Sequence, residues 1–158
     1  METALLDSPA EQAFDRLTRL ATMALEIPTA MVSLVTADRQ FFKSCVGLRE
    51  PWASRRDTPM QYSLCQYVVA ESRPLIFDDG RLLPQMQDHP AVREMKVVAY
   101  AGFPLITSDG YPLGSFCAID YKPRKWTARD ITILTDLAAA TMTEIELRAA
   151  RRLAHLHP

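Results

Sequence analysis

Glycine, histidine and long apolar runs are all scarce in this 158-residue chain. Its five glycines are too scattered to build a Gly-x-Gly-x-x-Gly turn or any other phosphate-cradling loop. Its three histidines, His89, His155 and His157, make no His-x-x-x-His pair and stand in no His/Cys/Asp cluster, which excludes the familiar metal-ligand spacings. The cysteines, Cys45, Cys65 and Cys117, are an odd and widely spaced set of three without a Cys-x-x-Cys pair. A disulfide framework wants an even set and a structural zinc wants close pairs, so three reduced, buried thiols are expected, slow to react and unlinked. The longest apolar stretch, Val97 to Ile106, is interrupted by Pro104 and falls far short of the ~20 residues of a spanning helix. An excess of one charge sign is missing as well: 18 basic residues against 19 acidic ones leave a net charge of -1. That balance gives no electrostatic footprint for nucleic acid or for an anionic membrane. The opening Met1-Glu2-Thr3-Ala4 lacks the basic start of a secretory signal, so the expected location is the cytoplasm.

What is there is an alternation of helical and strand patterns. The composition, 48% hydrophobic and 23% charged, is ordinary for a globular protein, and the length suits one domain over residues 1–158. Ser8-Pro9-Ala10-Glu11 reads as a helix start, with Ser8 capping, Pro9 at the first position and Glu11 closing a capping box. Ala13, Phe14, Leu17, Leu20, Ala21 and Ala24 then form one helical face until Pro28 stops it. Met31–Val35 and Phe41–Val46 read as strands joined by a turn at Ala37-Asp38-Arg39. Arg49 to Tyr62 has no period and reads as a loop long enough to cover a site. Ser63-Leu64-Cys65-Gln66 opens a short helix, Leu75-Ile76-Phe77 is a short strand, and Pro90 starts one or two helical turns. Ala99–Thr107 and Leu113–Ile119 form a hairpin through Asp109-Gly110, where the turn needs positive φ. Thr127, with Asp130 three positions on, caps a last helix running from about 127 to 157. The order α-β-β-α-β-α-β-β-α implies an α+β fold with a mostly antiparallel sheet.

Several segments carry a resemblance in their joint order. They are Leu5-Leu6-Asp7-Ser8-Pro9 with Phe14-Asp15-Arg16-Leu17, Asp38-Arg39-Gln40-Phe41-Phe42-Lys43-Ser44, Arg56-Asp57, and Ser63-Leu64-Cys65. Further on come Tyr100-Ala101-Gly102-Phe103-Pro104-Leu105 and Asp109-Gly110-Tyr111-Pro112-Leu113-Gly114-Ser115-Phe116-Cys117-Ala118-Ile119-Asp120. In this order and spacing the chain resembles a GAF domain of bacterial signalling proteins. The resemblance implies a twisted antiparallel sheet of five or six strands. Terminal helices would cover one face, with a small pocket under loops and short helices on the other. It also implies a non-catalytic sensory role, with a downstream histidine kinase, cyclic-di-nucleotide enzyme or transcription regulator. Family members bind cyclic nucleotides, tetrapyrroles, haem or small metabolites, or only dimerise, so the resemblance leaves the ligand or cofactor unnamed.

Mapped onto that pocket, the candidate ligand-binding residues are Cys65, Tyr67, Asp78, Asp79, Tyr100 and Cys117, around a mainly apolar cavity of small-ligand size. Cys65 is read as a core thiol at a helix start or as a redox-sensitive thiol. A thiol-linked tetrapyrrole is disfavoured because Gln66, not histidine, follows it. Asp78-Asp79 forms a solvated turn or binds ligand, and Tyr67, Tyr100 and Phe116 line the pocket or pack the core. Trp52 and Arg55-Arg56 are surface groups or an anion-clamping lid, and His89 is read as a helix cap rather than a haem ligand. The alternatives from other classes are a thiol-based reductase of the free methionine sulfoxide type and a dimerisation-only scaffold. A helix of 31 residues would be about 46 Å long at ~1.5 Å per residue, against a domain radius of gyration of about 15 Å. Its far end should therefore overhang, and the stripe Ile145, Ala149, Leu153 and Leu156, with Phe14, Leu17 and Leu20 of the first helix, is expected to build a homodimer.

Overall fold

A computed structural model describes residues 4–156. The first helix, α1 (Gln12–Leu25), buries Phe14, Thr18, Ala21 and Leu25, a four-three-four spacing that keeps one stripe on the sheet. It begins four residues later than Ser8, and the expected capping box is not formed. The Ser8 hydroxyl instead donates to Leu5 O at 2.5 Å and accepts from Lys43 Nζ at 2.7 Å. The Glu11 carboxylate is drawn to Lys43 (2.5 Å) and Arg148 (2.7 Å). Tertiary charge pairing has outcompeted a local cap.

Strands β1 (Thr29–Val35) and β2 (Arg39–Val46) form a hairpin. Their register runs Val32↔Ser44 and then Ser33↔Phe42, so Lys43 is the extra residue of a bulge. The stretch read as a loop contains a helical turn, α2 (Trp52–Arg55), and strand β3 (Asp57–Pro59), which pairs with β2. Helix α3 (Cys65–Glu71) follows, then β4 (Leu75–Phe77) and α4 (Pro90–Arg93). His89 Nδ1 accepts from the Ala91 N–H at 3.0 Å, which is the expected cap. Strands β5 (Ala99–Ile106) and β6 (Pro112–Asp120) turn through Gly110, whose φ of +86° explains the glycine. Helix α5 spans Ala128–Leu156. Its capping box is formed in both directions, Asp130 N–H to Thr127 Oγ1 and Thr127 N–H to Asp130 Oδ2, each at 3.1 Å. The expected end at His157 lies outside the described residues.

The six strands form one antiparallel sheet in the order β3-β2-β1-β6-β5-β4. Alternation along the strands divides the core in two. Ala30, Val32, Leu34, Phe103, Phe116 and Ala118 pack under the α1/α5 layer, so Phe116 is core on the helix side. Met31, Phe42, Tyr100, Cys117 and Ile119 face α3 and α4 on the other side. Within the helix layer Ile145 is fully buried and Ala149 nearly so, packed inside the same chain. This corrects the expected dimer stripe, because Ile145, Ala149 and the Phe14 expected to join them are buried within the chain itself. Only Leu153, 59% exposed, stays open among its described side chains, with Leu147, Leu20 and Met23 as the other exposed apolar groups of this layer. Since Glu11 at the head of α1 meets Arg148, the last turns of α5 run past the start of α1, and residues 150–155 are all exposed. Among the described residues no helix is long and apolar enough to cross a membrane.

Candidate functional site

Alternation in four strands and the start of α3 bring a polar cluster together on the face away from the terminal helices. Ser33 of β1 and Ser115 of β6 are register partners. Tyr100 comes from β5, Gln40 from β2, and Cys65 is the first residue of α3. The Cys65 sulfur is the hub. Ser115 Oγ donates to it at 2.9 Å and Gln40 Nε2 at 3.3 Å, with Tyr100 Oη at 3.1 Å and Cys117 Sγ at 3.9 Å. Gln40 spends its other amide hydrogen on Ser33 Oγ at 2.9 Å. Gly102 makes room for the phenol: a Cβ there would collide with Tyr100 Oη.

The electrostatics follow from that shell. Burial works against a charge on Cys65, but hydrogen bonds from Cys117, Ser115, Tyr100 and Ser33 outweigh it and bring this thiol down to about 7. The proton is then held by the neighbours. The bond to Cys65, burial and the Cys65 charge hold Cys117 well above an ordinary thiol, and burial with the same charge raises Tyr100. Cys45, on β2, is pushed up to about 11, chiefly by burial. One thiol of three is thus poised to ionise near neutrality.

Cys65, Tyr100 and Gln40 border a hollow of about 20 Å³. That is room for a water or two, not for the small ligand expected, since small-molecule pockets run to ~300 Å³ and more. Phe42, Leu64, Val97 and Ile119 fill the rest of this face. The hollow shares a wall of Leu48, Tyr62 and Met95 with an outer cleft of about 270 Å³. The cleft adds Trp52, whose ring meets Tyr62 at 5.0 Å, and Tyr121, whose ring lies 4.9 Å beneath the Arg49 guanidinium. Glu94, also in the cleft, accepts from Tyr62 Oη at 3.2 Å.

Of the six candidate residues, the structure brings together Cys65, Tyr100 and Cys117. Tyr67 points outward from α3, 38% exposed, edge-on to His89 at 5.7 Å. Asp78 ties β4 to the approach to α5, its carbonyl accepting from Arg124 N–H at 3.1 Å and its carboxylate from Trp126 N–H at 3.5 Å. Asp79 caps the turn Gly80–Leu82 and pairs with Arg81 at 2.7 Å. Neither aspartate reaches the hollow. Arg56 is committed to Ser8 O (2.8 Å) and Lys43 O (3.2 Å), and Arg55 to Asp57 (3.3 Å), so neither is a free anion clamp. Sequence reasoning missed Ser33, Gln40, Ser115, Tyr62 and Tyr121. The signal for Ser33 and Ser115 was a polar residue at inward parity in a mostly apolar strand.

A six-stranded antiparallel sheet with a two-helix layer on one face and a small hollow under short helices on the other defines an α+β domain. Residues 9–145 match the GAF domain family, and the chain belongs to it. Over 146 residues it is 34% identical to a cyclic di-GMP phosphodiesterase of Pseudomonas aeruginosa; the match covers 91% of this chain but only 24% of that protein. The chain therefore spans about a quarter of the curated relative it matches. Among solved structures, the GAF domain of a phosphoenolpyruvate-protein phosphotransferase from Coxiella burnetii aligns with a TM-score of 0.74 at 18% identity, covering 95% of this chain and 90% of that one. A free methionine-R-sulfoxide reductase from Neisseria meningitidis aligns with a TM-score of 0.68 at 17% identity, covering 96% and 86%. At such identities these likenesses show the fold alone.

Proposed function

We propose that this chain is a non-catalytic regulatory domain of a cytoplasmic signalling protein, which takes a small ligand in the outer cleft and relays its presence through α1 and α5. The observation that carries this reading is the shared wall of Leu48, Tyr62 and Met95. A ligand seated against Trp52 and Tyr62 presses on side chains that also close the inner hollow. The hollow's floor is β1 and β6, whose opposite face supports the helix layer, so a shift there reaches both terminal helices. Membership of the GAF family and likeness to one segment of a cyclic di-GMP phosphodiesterase support a signalling output, with a cyclic-di-nucleotide enzyme or a kinase as the downstream partner. Copies pair through the exposed apolar groups of the helix layer, Leu20, Met23, Leu147 and Leu153.

Trp52 lies in the cleft, whereas the chain's other tryptophan, Trp126, is buried on the helix side, so tryptophan emission can report on the cleft. Cyclic AMP and cyclic GMP serve as probes, alongside native mass spectrometry of protein freshly isolated from its host. A bound adduct, or a saturable emission change that Trp52→Phe removes, supports the reading. No adduct and no change would favour the scaffold that only dimerises. Steady reduction of free methionine sulfoxide would favour the reductase instead.

A further inference from the structure

The buried sulfur pair has a chemistry that does not depend on any ligand in the cleft. Cys65 Sγ and Cys117 Sγ stand 3.9 Å apart, on α3 and β6. The other described polar neighbours of Cys65 are groups able to donate to it: Ser115, Gln40, Tyr100 and Ser33. Among the described residues no carboxylate is a partner of Cys65, so the shell favours a sulfur anion over a thiol. The two sulfurs also differ in access. Cys65 borders the small hollow behind Leu48, Tyr62 and Met95, whereas Cys117 lies behind it and does not. A hollow with room for a water or two also admits hydrogen peroxide, which is only slightly larger, while excluding bulky reagents.

We propose that Cys65 and Cys117 are a hydroperoxide-reactive pair that closes into a disulfide between α3 and β6. The Cys65 thiolate attacks one peroxide oxygen, the O–O bond breaks, and the departing hydroxide takes a proton and leaves as water. Cys65 is then a sulfenic acid, oxidised by two electrons, and the peroxide is reduced by two. The Cys117 sulfur next attacks the Cys65 sulfur. The S–S bond forms as the S–O bond breaks, and the hydroxyl leaves as a second water with the Cys117 proton. The gap must close to ~2.05 Å, about 2 Å of travel shared between two side chains and the first turn of α3. A dithiol reductant reverses the reaction by exchange. Tyr100 and Ser115 hold the thiolate in place between events. Cys45 takes no part, because it stands outside the cluster and is held protonated.

The test is to treat the fully reduced chain with hydrogen peroxide and alkylate it under denaturing conditions. Intact mass and peptide mapping then count and place the remaining thiols. Two alkylatable thiols should disappear with a mass loss of about 2 Da, in a peptide joining Cys65 to Cys117, and dithiothreitol should restore both. Cys45→Ser should behave as wild type. Cys117→Ser should stop at a sulfenic acid on Cys65 that dimedone traps, and Cys65 should be consumed at least about 10-fold faster than Cys45. Three alkylatable thiols surviving peroxide that oxidises free cysteine would overturn the proposal. So would a linkage through Cys45, or a Cys117→Ser protein whose Cys65 gives no dimedone adduct. The wild-type and Cys45→Ser arms decide the matter even if a cluster variant fails to fold.

Discussion

Replacing Glu11 by glutamine tests the charge network that binds the helix layer to the sheet. Lys43 is fully buried on the helix side, the side Phe41 also faces, and among the described residues Glu11 is its carboxylate partner. The same carboxylate accepts from Arg148 of α5, so one side chain joins α1, β2 and α5. Removing one member of a buried pair costs about 3–5 kcal/mol. Glu11 is 35% exposed, so water recovers part of that, and Lys43 keeps Ser8 Oγ and Pro9 O as acceptors. The expected loss is about 2 kcal/mol. With a urea slope of about 2 kcal/mol per M for a domain of this size, the unfolding midpoint should fall by about 1 M. Lys43→Met should cost less, about 1 kcal/mol, because it removes the buried charge and leaves Glu11 paired with Arg148. The pH dependence gives an independent check. Burial raises the Glu11 carboxyl, but hydrogen bonds and charge from Lys43 and Arg148 hold it below its usual 4.5. As pH falls the unfolded chain takes up this proton first, so the stabilisation is complete above about 4.5 and drains away below it. The stability gap between wild type and Glu11→Gln should therefore narrow in acid. A Glu11→Gln midpoint unchanged within error, or a Lys43→Met protein weaker than Glu11→Gln, would refute this account.

Thr127→Ala removes one side of the α5 capping box and should cost about 1 kcal/mol, read as a drop of about 2–4 °C in calorimetric melting temperature. Gly114→Ala should abolish soluble folded protein, because a Cβ there runs into the Ser33 carbonyl between β1 and β6; a folded variant by circular dichroism would contradict the packing. Gly102→Ala should push the Tyr100 phenol off Cys65, and the midpoint for alkylation of Cys65 should then move above about 7, as followed by mass spectrometry across pH. Leu147→Asp with Leu153→Asp should convert a dimer into a monomer in light scattering at micromolar concentration, whereas a monomeric wild type would remove the pairing proposal.

Local chemistry made part of the fold readable from the chain alone. Thr127 and Asp130, Asp109-Gly110, and His89 before Pro90 each act within a few residues, and each does what its side chain dictates. The misread start of α1 has the opposite cause. Ser8 and Glu11 are good cap residues, but a lysine 35 positions from Ser8 competes for them and wins. Strand β3 was unreadable because three residues have no period, and their only definition is the pairing with β2. At the site, the carried-over positions converge because alternation puts Tyr100 and Cys117 on the face that the start of α3 covers with Cys65. Asp78 and Asp79 do not: Asp79 is claimed by the local cap on Arg81 N–H, and Asp78 by a long-range tie to Arg124 and Trp126 before α5. The size of the hollow could not be read at all, since it depends on how Phe42, Leu64 and Ile119 interdigitate.

Both outer strands of the sheet, β3 and β4, are three residues long. β3 ends on Pro59, whose nitrogen carries no hydrogen, and β4 follows directly on Pro74. An incoming extended peptide would find almost no ladder to extend at either border. Strand addition, the usual route by which a bare sheet recruits foreign chains or its own copies into fibrils, is thereby closed. The sheet's borders thus offer a partner strand almost nothing to pair with.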